Sequence, residues 1–150
     1  MTSLIVERDD PSESISSLKG LFTLLKPSLP TLLDISIEYY DVDDDETSDG
    51  PLAGLLLELK KLAGQNVVKT FELTWLHSGW YDSTRWGELD DVLMGSPEDW
   101  PALRVVSLSL GVHTVHTFED DDTDKAVELP TMTKLVESNR VKLDIDITRY

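Results

Sequence analysis

The hydrophobic residues of this chain recur in four short segments in which apolar and polar positions alternate. The segments are LLDISIEYY, VVKTFELTW, LRVVSLSLG and RVKLDIDIT, which begin at Leu32, Val68, Leu103 and Arg140. Apolar residues at every second position line one face of a β-strand. Each segment therefore predicts a strand with one buried face and one exposed face. A shorter apolar segment, SLIV at 3–6, predicts one more strand before the first helix.

The four segments repeat with a nearly constant period. When Ile35, Phe71, Val106 and Leu143 are taken as equivalent, the offsets between them are 36, 35 and 37 residues. Repetition at a fixed period is typical of repeat proteins, in which each unit buries its apolar face against its neighbours. The period predicts about four repeats within a single domain that comprises residues 1–150.

Between the strands, apolar residues are spaced three and four positions apart, as on one face of an α-helix. The four apolar stripes consist of Ile15, Leu18, Phe22, Leu25 and Leu29; of Leu52, Leu55, Leu56, Leu59 and Leu62; of Trp86, Leu89, Val92 and Leu93; and of Met132, Leu135 and Val136. Proline and glycine mark the helix limits, with Pro11 and Pro51 at two starts and Pro27, Gly64 and Gly95 at three ends. The chain therefore alternates strands with helices.

Strands that alternate with helices form parallel sheets, because each crossover helix returns the chain to the same end of the sheet. A sheet covered on both faces has strands that are apolar throughout, whereas these strands keep one polar face. The polar positions are Ser36, Glu38, Glu72, Thr74, Ser107, Ser109, Asp144 and Asp146. We therefore expect an α/β fold that forms an open right-handed solenoid of strand–helix repeats, with the helices on one face of a parallel sheet.

Charge excludes several classes of partner. The chain carries 29 acidic and 13 basic residues, a formal net charge of −16 at pH 7. This excess repels phosphate groups, so we expect no binding to nucleic acid or to an anionic membrane surface. The longest purely apolar segment, PLAGLLL at 51–57, is too short to span a bilayer. Because the N-terminal residues do not resemble a secretory signal and cysteine is absent, we expect an intracellular location, cytoplasmic or nuclear.

Two acidic segments, DVDDDETSDG at 41–50 and EDDDTDK at 119–125, are candidates for cation binding. A calcium loop that starts at Asp41 would place Glu46 where glycine is required and Leu52 where the bidentate glutamate is required. Dense like charges repel one another and favour solvated loops. We therefore predict no metal site and no cofactor.

Catalytic motifs are missing as well. The sequence contains no G-x-S-x-G, no cysteine nucleophile and no phosphate-binding P-loop. We therefore expect a protein that is not an enzyme. The alternative is a carboxylate- or metal-dependent hydrolase that uses Asp41, Asp43, Asp45 and His113 from the acidic loops.

The segment RWGELDDVLMGSPEDWPALRVVSLSLGV at 85–112 combines a tryptophan-containing helix with a strand that follows a proline. Its characteristic positions are Trp86, Leu89, Asp90, Leu93, Ser96, Pro97, Pro101 and Leu103. The pattern resembles the leucine-rich-repeat-like region that follows the F-box in many fungal F-box proteins, and LLKPSLPTLLDISIEYY at 24–40 is a looser match. The resemblance implies a solenoid that recognises substrates of a ubiquitin ligase. Residues 1–40 show no F-box pattern, so we expect a fragment or a relative of a longer solenoid.

The aligned strands predict the surface that binds a protein partner. The expected partner-binding residues are Ser36, Glu38, Tyr40, Glu72, Thr74, Leu76, Trp80, Tyr81, Ser107 and Ser109. Those within the strands are mostly small or acidic, whereas Trp80 and Tyr81 lie in a loop at the carboxyl end of the second strand segment. We therefore expect a partner that is basic where it crosses the strands and apolar where it meets this loop.

Overall fold

The computed structural model describes residues 3–6, 20–41, 50–77, 83–112 and 132–149. The strands are β1 Ser3–Val6, β2 Asp34–Asp41, β3 Thr70–His77, β4 Val105–Val112 and β5 Lys142–Arg149. The helices are α1 Leu21–Leu25, α2 Gly50–Leu62, α3 Ser83–Met94 and α4 Thr133–Val136, and a 3₁₀ turn at Lys26–Ser28 follows α1. The predicted alternation of strands and helices is confirmed, including the extra strand β1.

The five strands form one parallel sheet in the order β1-β2-β3-β4-β5. The first residues of four strands, Asp34, Thr70, Val105 and Lys142, are paired in register across the sheet. Their positions in the chain differ by 36, 35 and 37 residues, as the aligned segments predict. Sequential parallel order follows when each crossover returns the chain to the next place in the sheet. The α/β class and the parallel sheet are therefore confirmed.

The turns that lead into the strands are joined by a series of backbone hydrogen bonds. The Lys69 amide donates to the Leu33 carbonyl at 2.7 Å, the Arg104 amide to the Lys69 carbonyl at 2.8 Å, and the Lys142 amide to the Arg104 carbonyl at 2.7 Å. The buried residues that anchor these turns are Leu32, Val68 and Leu103. Because the turns use the first two residues of each of the four repeated segments, the strands β2 to β5 begin two residues later than those segments.

The last repeat departs from this pattern. Arg140 takes the position that is equivalent to Leu103, and its guanidinium donates to the carbonyls of Pro97 at 3.3 Å and Trp100 at 3.4 Å. The following residue, Val141, is buried in its place. The arginine therefore attaches the start of β5 to the turn of the preceding repeat by hydrogen bonds rather than by apolar contact.

The core lies between the helices and one face of the sheet. Ile37, Leu73, Leu108 and Ile145 are paired across four strands and form one row on this face. Their exposed fractions are 1%, 1%, 0% and 38%. The expected burial of this row is confirmed for Ile37, Leu73 and Leu108 but is wrong for Ile145, which is exposed because β5 pairs only with β4 within the described residues.

The helix stripes are confirmed where they are described, with one exception. On α2 the stripe leucines Leu55, Leu56, Leu59 and Leu62 are buried, and Gly64 ends the helical segment with a φ of +73°, a conformation that favours glycine. In the last stripe, Met132 before α4 and Leu135 within it are buried as predicted, but Val136 is 69% exposed. Because α4 is a single turn of four residues, it cannot bury both of its adjacent apolar residues.

The first predicted stripe is described only in its second half. Ile15 and Leu18 lie outside the described residues, whereas Leu25 and Leu29 are buried. Pro27 ends the α-helix as predicted, and the chain continues through it as a 3₁₀ turn. Proline is tolerated in this first turn because the amide it lacks would have no helical partner.

A buried carboxylate of α2 caps the short helix α1. The Glu58 side chain accepts a hydrogen bond from the Phe22 amide at 2.9 Å and another from the Lys61 ammonium at 2.6 Å. Burial alone would raise the pKa of Glu58, but the hydrogen bonds from Lys61 and Phe22 offset burial, so its pKa lies below the ordinary value. Gly20, which precedes α1, has no side chain to cap the helix. The neighbouring repeat therefore supplies the cap.

We expect the Glu58→Gln variant to have a flatter dependence of stability on pH in the acid range. A carboxylate whose pKa is lowered by folding contributes its full stabilisation above its ordinary pKa, which is 4.5. That contribution is lost as the pH falls through the lower pKa of the folded state. Urea unfolding at pH 7 and at steps below pH 5 measures the difference between variant and wild type, which should shrink with falling pH. Glu98→Gln removes an exposed carboxylate and is the control; an equal change in both variants would contradict the role of Glu58.

Candidate protein-interaction surface

The face of the sheet that points away from the core carries side chains in straight rows. The rows are Ser36, Glu72, Ser107 and Asp144; then Glu38, Thr74, Ser109 and Asp146; then Tyr40, Leu76, Gly111 and Thr148. The register predicted from the sequence is confirmed in all three rows. We call the first two rows the open face, because their residues alternate along each strand with the core residues.

The open face combines small side chains with protruding carboxylates. Glu72, Asp144 and Asp146 are exposed, whereas Ser107 and Ser109 are half-buried between their neighbours. Adjacent strands in a sheet are roughly 4.8 Å apart, so each row presents one side chain at that interval. Across the strands, hydroxyl groups and carboxylates alternate in the first row, whereas the second row has hydroxyl groups on β3 and β4 with a carboxylate on either side.

The charge of the open face is negative, but it is not uniform. Asp34, Glu38 and Glu72 concentrate carboxylates on β2 and β3. On β5, the Lys142 ammonium lies 2.8 Å from an Asp144 carboxylate oxygen. Lys142 belongs to the row that precedes the open face, and it neutralises part of the negative charge that the sequence predicts at β5. The formal negative charge of this face is therefore greater on β2 and β3 than on β5.

The structure brings together six of the ten predicted partner-binding residues on the open face. They are Ser36, Glu38, Glu72, Thr74, Ser107 and Ser109. Tyr40 and Leu76 are paired with each other in the third row, near the carboxyl ends of their strands. Trp80 and Tyr81 lie outside the described residues, so their predicted role as apolar anchors stays a prediction.

The residues of the alternative hydrolase site fall largely outside the described part of the chain. Asp41 is the last residue of β2, whereas Asp43, Asp45, His113 and the segment 119–125 are not described. Among the described residues, no three or more histidine, aspartate or glutamate side chains are grouped in a way that would hold a metal ion. In the same ranges, every helix is too short or too polar to cross a membrane.

Sequence reasoning placed Asp90 in the family-like pattern but missed that it connects two repeats. Asp90 of α3 is buried, and its two carboxylate oxygens accept hydrogen bonds from the amides of Lys134 and Leu135, each at 2.8 Å. These amides belong to the first turn of α4, where a negative charge is also favoured by the helix dipole. The sequence contained one indication that Asp90 is buried. Asp90 lies four residues after Trp86 and three before Leu93, which places it on the apolar face of α3.

A second missed residue, Asn66, connects α2 and β3 to the following repeat. Its buried side-chain amide donates to the Leu62 carbonyl at 2.9 Å and to the Asp99 carbonyl at 3.0 Å, and its oxygen accepts from the Val68 amide at 3.2 Å. The Leu62 and Asp99 carbonyls also accept from the amides of Gln65 and Gly64, whereas the side-chain oxygen is the hydrogen-bond partner of the buried Val68 amide. Asp90 and Asn66 hold successive repeats in a fixed relation, which keeps the rows of the open face in register.

A shallow groove on the helical side lies between α2 and α3. It is lined by Lys60, Ala63, Glu88, Asp91, Val92 and Asp99, and its volume is about 530 Å³. The groove is open to solvent, and its walls are mainly charged. It lacks the enclosed apolar lining that is typical of sites for small ligands. The open face of the sheet is therefore the stronger candidate for the functional surface.

Comparison of the chain with protein-family models, with curated proteins and with solved structures finds no match. The function is therefore inferred from the shape, register and charge of the open face.

Proposed function

We propose that this protein is a non-catalytic recognition module that binds a protein partner with a basic surface across its open face. The observation that carries the proposal is the register of small and acidic residues on one face of a parallel sheet. Such a surface offers carboxylates to lysine and arginine and offers hydroxyl groups to polar side chains, without a cavity for a small substrate.

We further propose that the repeats form an open right-handed solenoid of the leucine-rich-repeat type. The main contacts between strands run from β1 to β5 in sequence, and those between helices run from α1 to α4 in sequence. In repeat proteins, each repeat contacts only its nearest neighbours in the sequence. The backbone hydrogen bonds that join the turns at Leu33, Lys69 and Arg104 also support this architecture.

The mechanism follows from rigidity and charge. Because most side chains of the open face stand on β2, β3 and β4, which are paired on both sides, they lose little conformational freedom when a partner binds. The carboxylates on β2 and β3 attract a basic partner before contact, which raises the association rate and makes it depend on salt. Affinity then comes from several modest contacts on successive strands.

The resemblance to the region that follows the F-box suggests which process the module serves. In this proposal the bound partner is a substrate presented to a ubiquitin ligase, and the protein acts in the cytoplasm or the nucleus. Substrate recognition of this kind needs specificity and rapid exchange rather than catalysis, which fits a surface of small and charged side chains.

Site-specific cross-linking can find the partner and locate its binding surface. A photoreactive amino acid at Thr74, on the open face, should capture the partner in an extract of the source cells. The same group at Leu57, which is 60% exposed on α2, is the control for the helical side. Capture of the same protein from Leu57 but not from Thr74 would place the interface on the helices and contradict the proposal.

We expect charge reversal on the open face to slow the association of the captured partner. The double variant Glu38→Lys/Glu72→Lys should lower the association rate about tenfold at low salt, since local charge steers encounter. The difference should shrink as salt screens the charges. Glu98→Lys/Glu137→Lys makes the same change in net charge at exposed positions outside the sheet. Equal slowing in both double variants, measured by stopped flow, would assign the effect to total charge and not to the open face.

A further inference from the structure

The turn between α3 and β4 presents a serine that is followed by proline. Ser96 is the only serine or threonine in the sequence that a proline follows, and Glu98 and Asp99 come directly after Pro97. Ser96 is half-buried, whereas Pro97 and Glu98 are exposed. The Asp99 amide donates to the Ser96 carbonyl at 3.2 Å, and the Glu98 amide donates to the Ser96 hydroxyl oxygen at 3.3 Å. Serine in first place and proline in second are typical of a tight turn, and neither bond uses the hydroxyl hydrogen of Ser96.

This turn lies at the amino edge of the parallel sheet. The turns that lead into β2, β3, β4 and β5 are all described, at 26–33, 63–69, 95–104 and 137–141. The internal segments that are not described, 7–19, 42–49, 78–82 and 113–131, each follow the carboxyl end of a strand in the chain. Because carboxyl ends of parallel strands meet at one edge of a sheet, these segments start from the edge opposite to Ser96. Ser96 therefore stands among described turns.

An arginine of the next repeat lies against this turn on both sides of Ser96. The Arg140 guanidinium donates from Nη1 to the carbonyls of Pro97 at 3.3 Å and Trp100 at 3.4 Å, and Nη2 lies 4.0 Å from Sδ of Met94. Both N–H···O distances are longer than usual, and a guanidinium has five donors. Arg140 forms no ion pair with any residue in the described ranges. It therefore retains donors for a stronger, charged acceptor.

We propose that Ser96 is phosphorylated by a protein kinase that selects serine followed by proline, and that Arg140 binds the phosphate. The Ser96 oxygen attacks the γ-phosphorus of ATP, the bond from this phosphorus to the leaving ADP oxygen breaks, and the hydroxyl proton passes to a carboxylate of the kinase. The phosphate carries a charge of about −1.5 to −2 at pH 7 and three acceptor oxygens. Its pairing with Arg140 joins the turn before β4 to the start of β5. This modification does not depend on the function proposed for the open face.

Two carboxylates close to Ser96 oppose the added charge. Glu98 is exposed, so water and salt screen its repulsion, and Asp99 lines the groove between α2 and α3 together with Lys60. Both acidic residues are also present beside the serine in any short peptide of this sequence. Only the folded chain brings Arg140 to the same place. The difference between folded chain and peptide therefore isolates the contribution of Arg140.

The first experiment tests the modification itself. The whole folded chain is incubated with ATP, magnesium and a purified mitogen-activated protein kinase, an enzyme that selects serine before proline, and the product is mapped by mass spectrometry. We expect one phosphoryl group at Ser96 and none in the Ser96→Ala variant. Pro97→Ala keeps the hydroxyl group but should lower the initial rate at least about tenfold, because the kinase discriminates through contacts to the residue after the acceptor. No phosphate at Ser96, or an equal rate for Pro97→Ala, would overturn the proposal.

The second experiment tests the role of Arg140 by phosphorus NMR. The pKa of a phosphoserine is about 6 for its second proton, and a guanidinium beside the phosphate lowers it. In the phosphorylated chain this pKa should be lower by about 0.5 or more than in a phosphopeptide of residues 91–101. Arg140→Gln should remove the difference. Arg104→Gln is the matched control, because its guanidinium donates to the Pro101 and Leu103 carbonyls of its own turn.

The outcomes of the titration separate binding of the phosphate from general charge effects. The same pKa in folded chain and peptide, or an equal rise in the Arg140→Gln and Arg104→Gln variants, would contradict the assignment of Arg140. The comparison with the peptide needs no variant, so it decides the question even if Arg140→Gln does not fold.

Discussion

Replacement of Leu108 by alanine is expected to lower the free energy of unfolding by about 2–5 kcal/mol. Leu108 is fully buried on β4, with Leu73 beside it on one flanking strand and Ile145 on the other. Because strands on both sides and the helices above hold these neighbours in place, the cavity left by the substitution cannot close. The variant therefore loses both the transfer free energy of the removed methyl groups and the contacts around the cavity.

The adjacent residue Ser107 provides the control. It points to the open face, so Ser107→Ala should change the free energy of unfolding by well under about 1 kcal/mol. Ile145→Ala should fall between the two variants, because Ile145 is partly exposed at the edge. Urea titrations followed by circular dichroism measure all three. Equal losses at Leu108 and Ser107 would contradict a sheet that is buried on one face only.

Replacement of Asp90 by alanine should cost about 2–4 kcal/mol, since it removes two charge-assisted hydrogen bonds and leaves the amides of Lys134 and Leu135 without these partners. Met132, the residue that precedes α4, makes no side-chain capping hydrogen bond, so it does not replace the lost bonds. We expect the loss of local stability to extend from α4 to β5. In hydrogen exchange, the amides of β5 should lose more protection than those of β3.

The neighbouring residue Asp91 is the matched control for this prediction. Asp91 forms an ion pair with Lys134 at 2.7 Å, but both side chains are exposed to solvent. Pairs of this kind contribute little, because water and salt screen them. Asp91→Ala should therefore have a much smaller effect than Asp90→Ala in the same urea titrations. Similar losses in the two variants would mean that charge near α4, and not capping by a buried carboxylate, stabilises this end of the protein.

The strands, their register and the direction of their faces were determined by the sequence alone. The alternation of apolar and polar residues fixes which side chains of a strand share a face, and one-residue slips would expose the whole apolar set. The period of 36, 35 and 37 residues then aligns Ile37 with Leu73 and Leu108, so the rows of the open face follow without knowledge of any contact. These properties are local or periodic, and a single chain displays them directly.

The tertiary structure decided which polar residues hold the repeats together and how the sheet ends. Glu58 bonds to Phe22, 36 residues away in the chain, and Asp90 bonds to Leu135, 45 residues away. Acidic side chains are usually exposed, so the sequence alone favoured an exposed position for both Glu58 and Asp90. The sequence also did not indicate that Ile145 and Val136 are exposed, because their apolar spacing matches that of buried residues in the other repeats. Burial depends on whether a neighbouring unit is present, and at β5 the described sheet has no further strand to provide it.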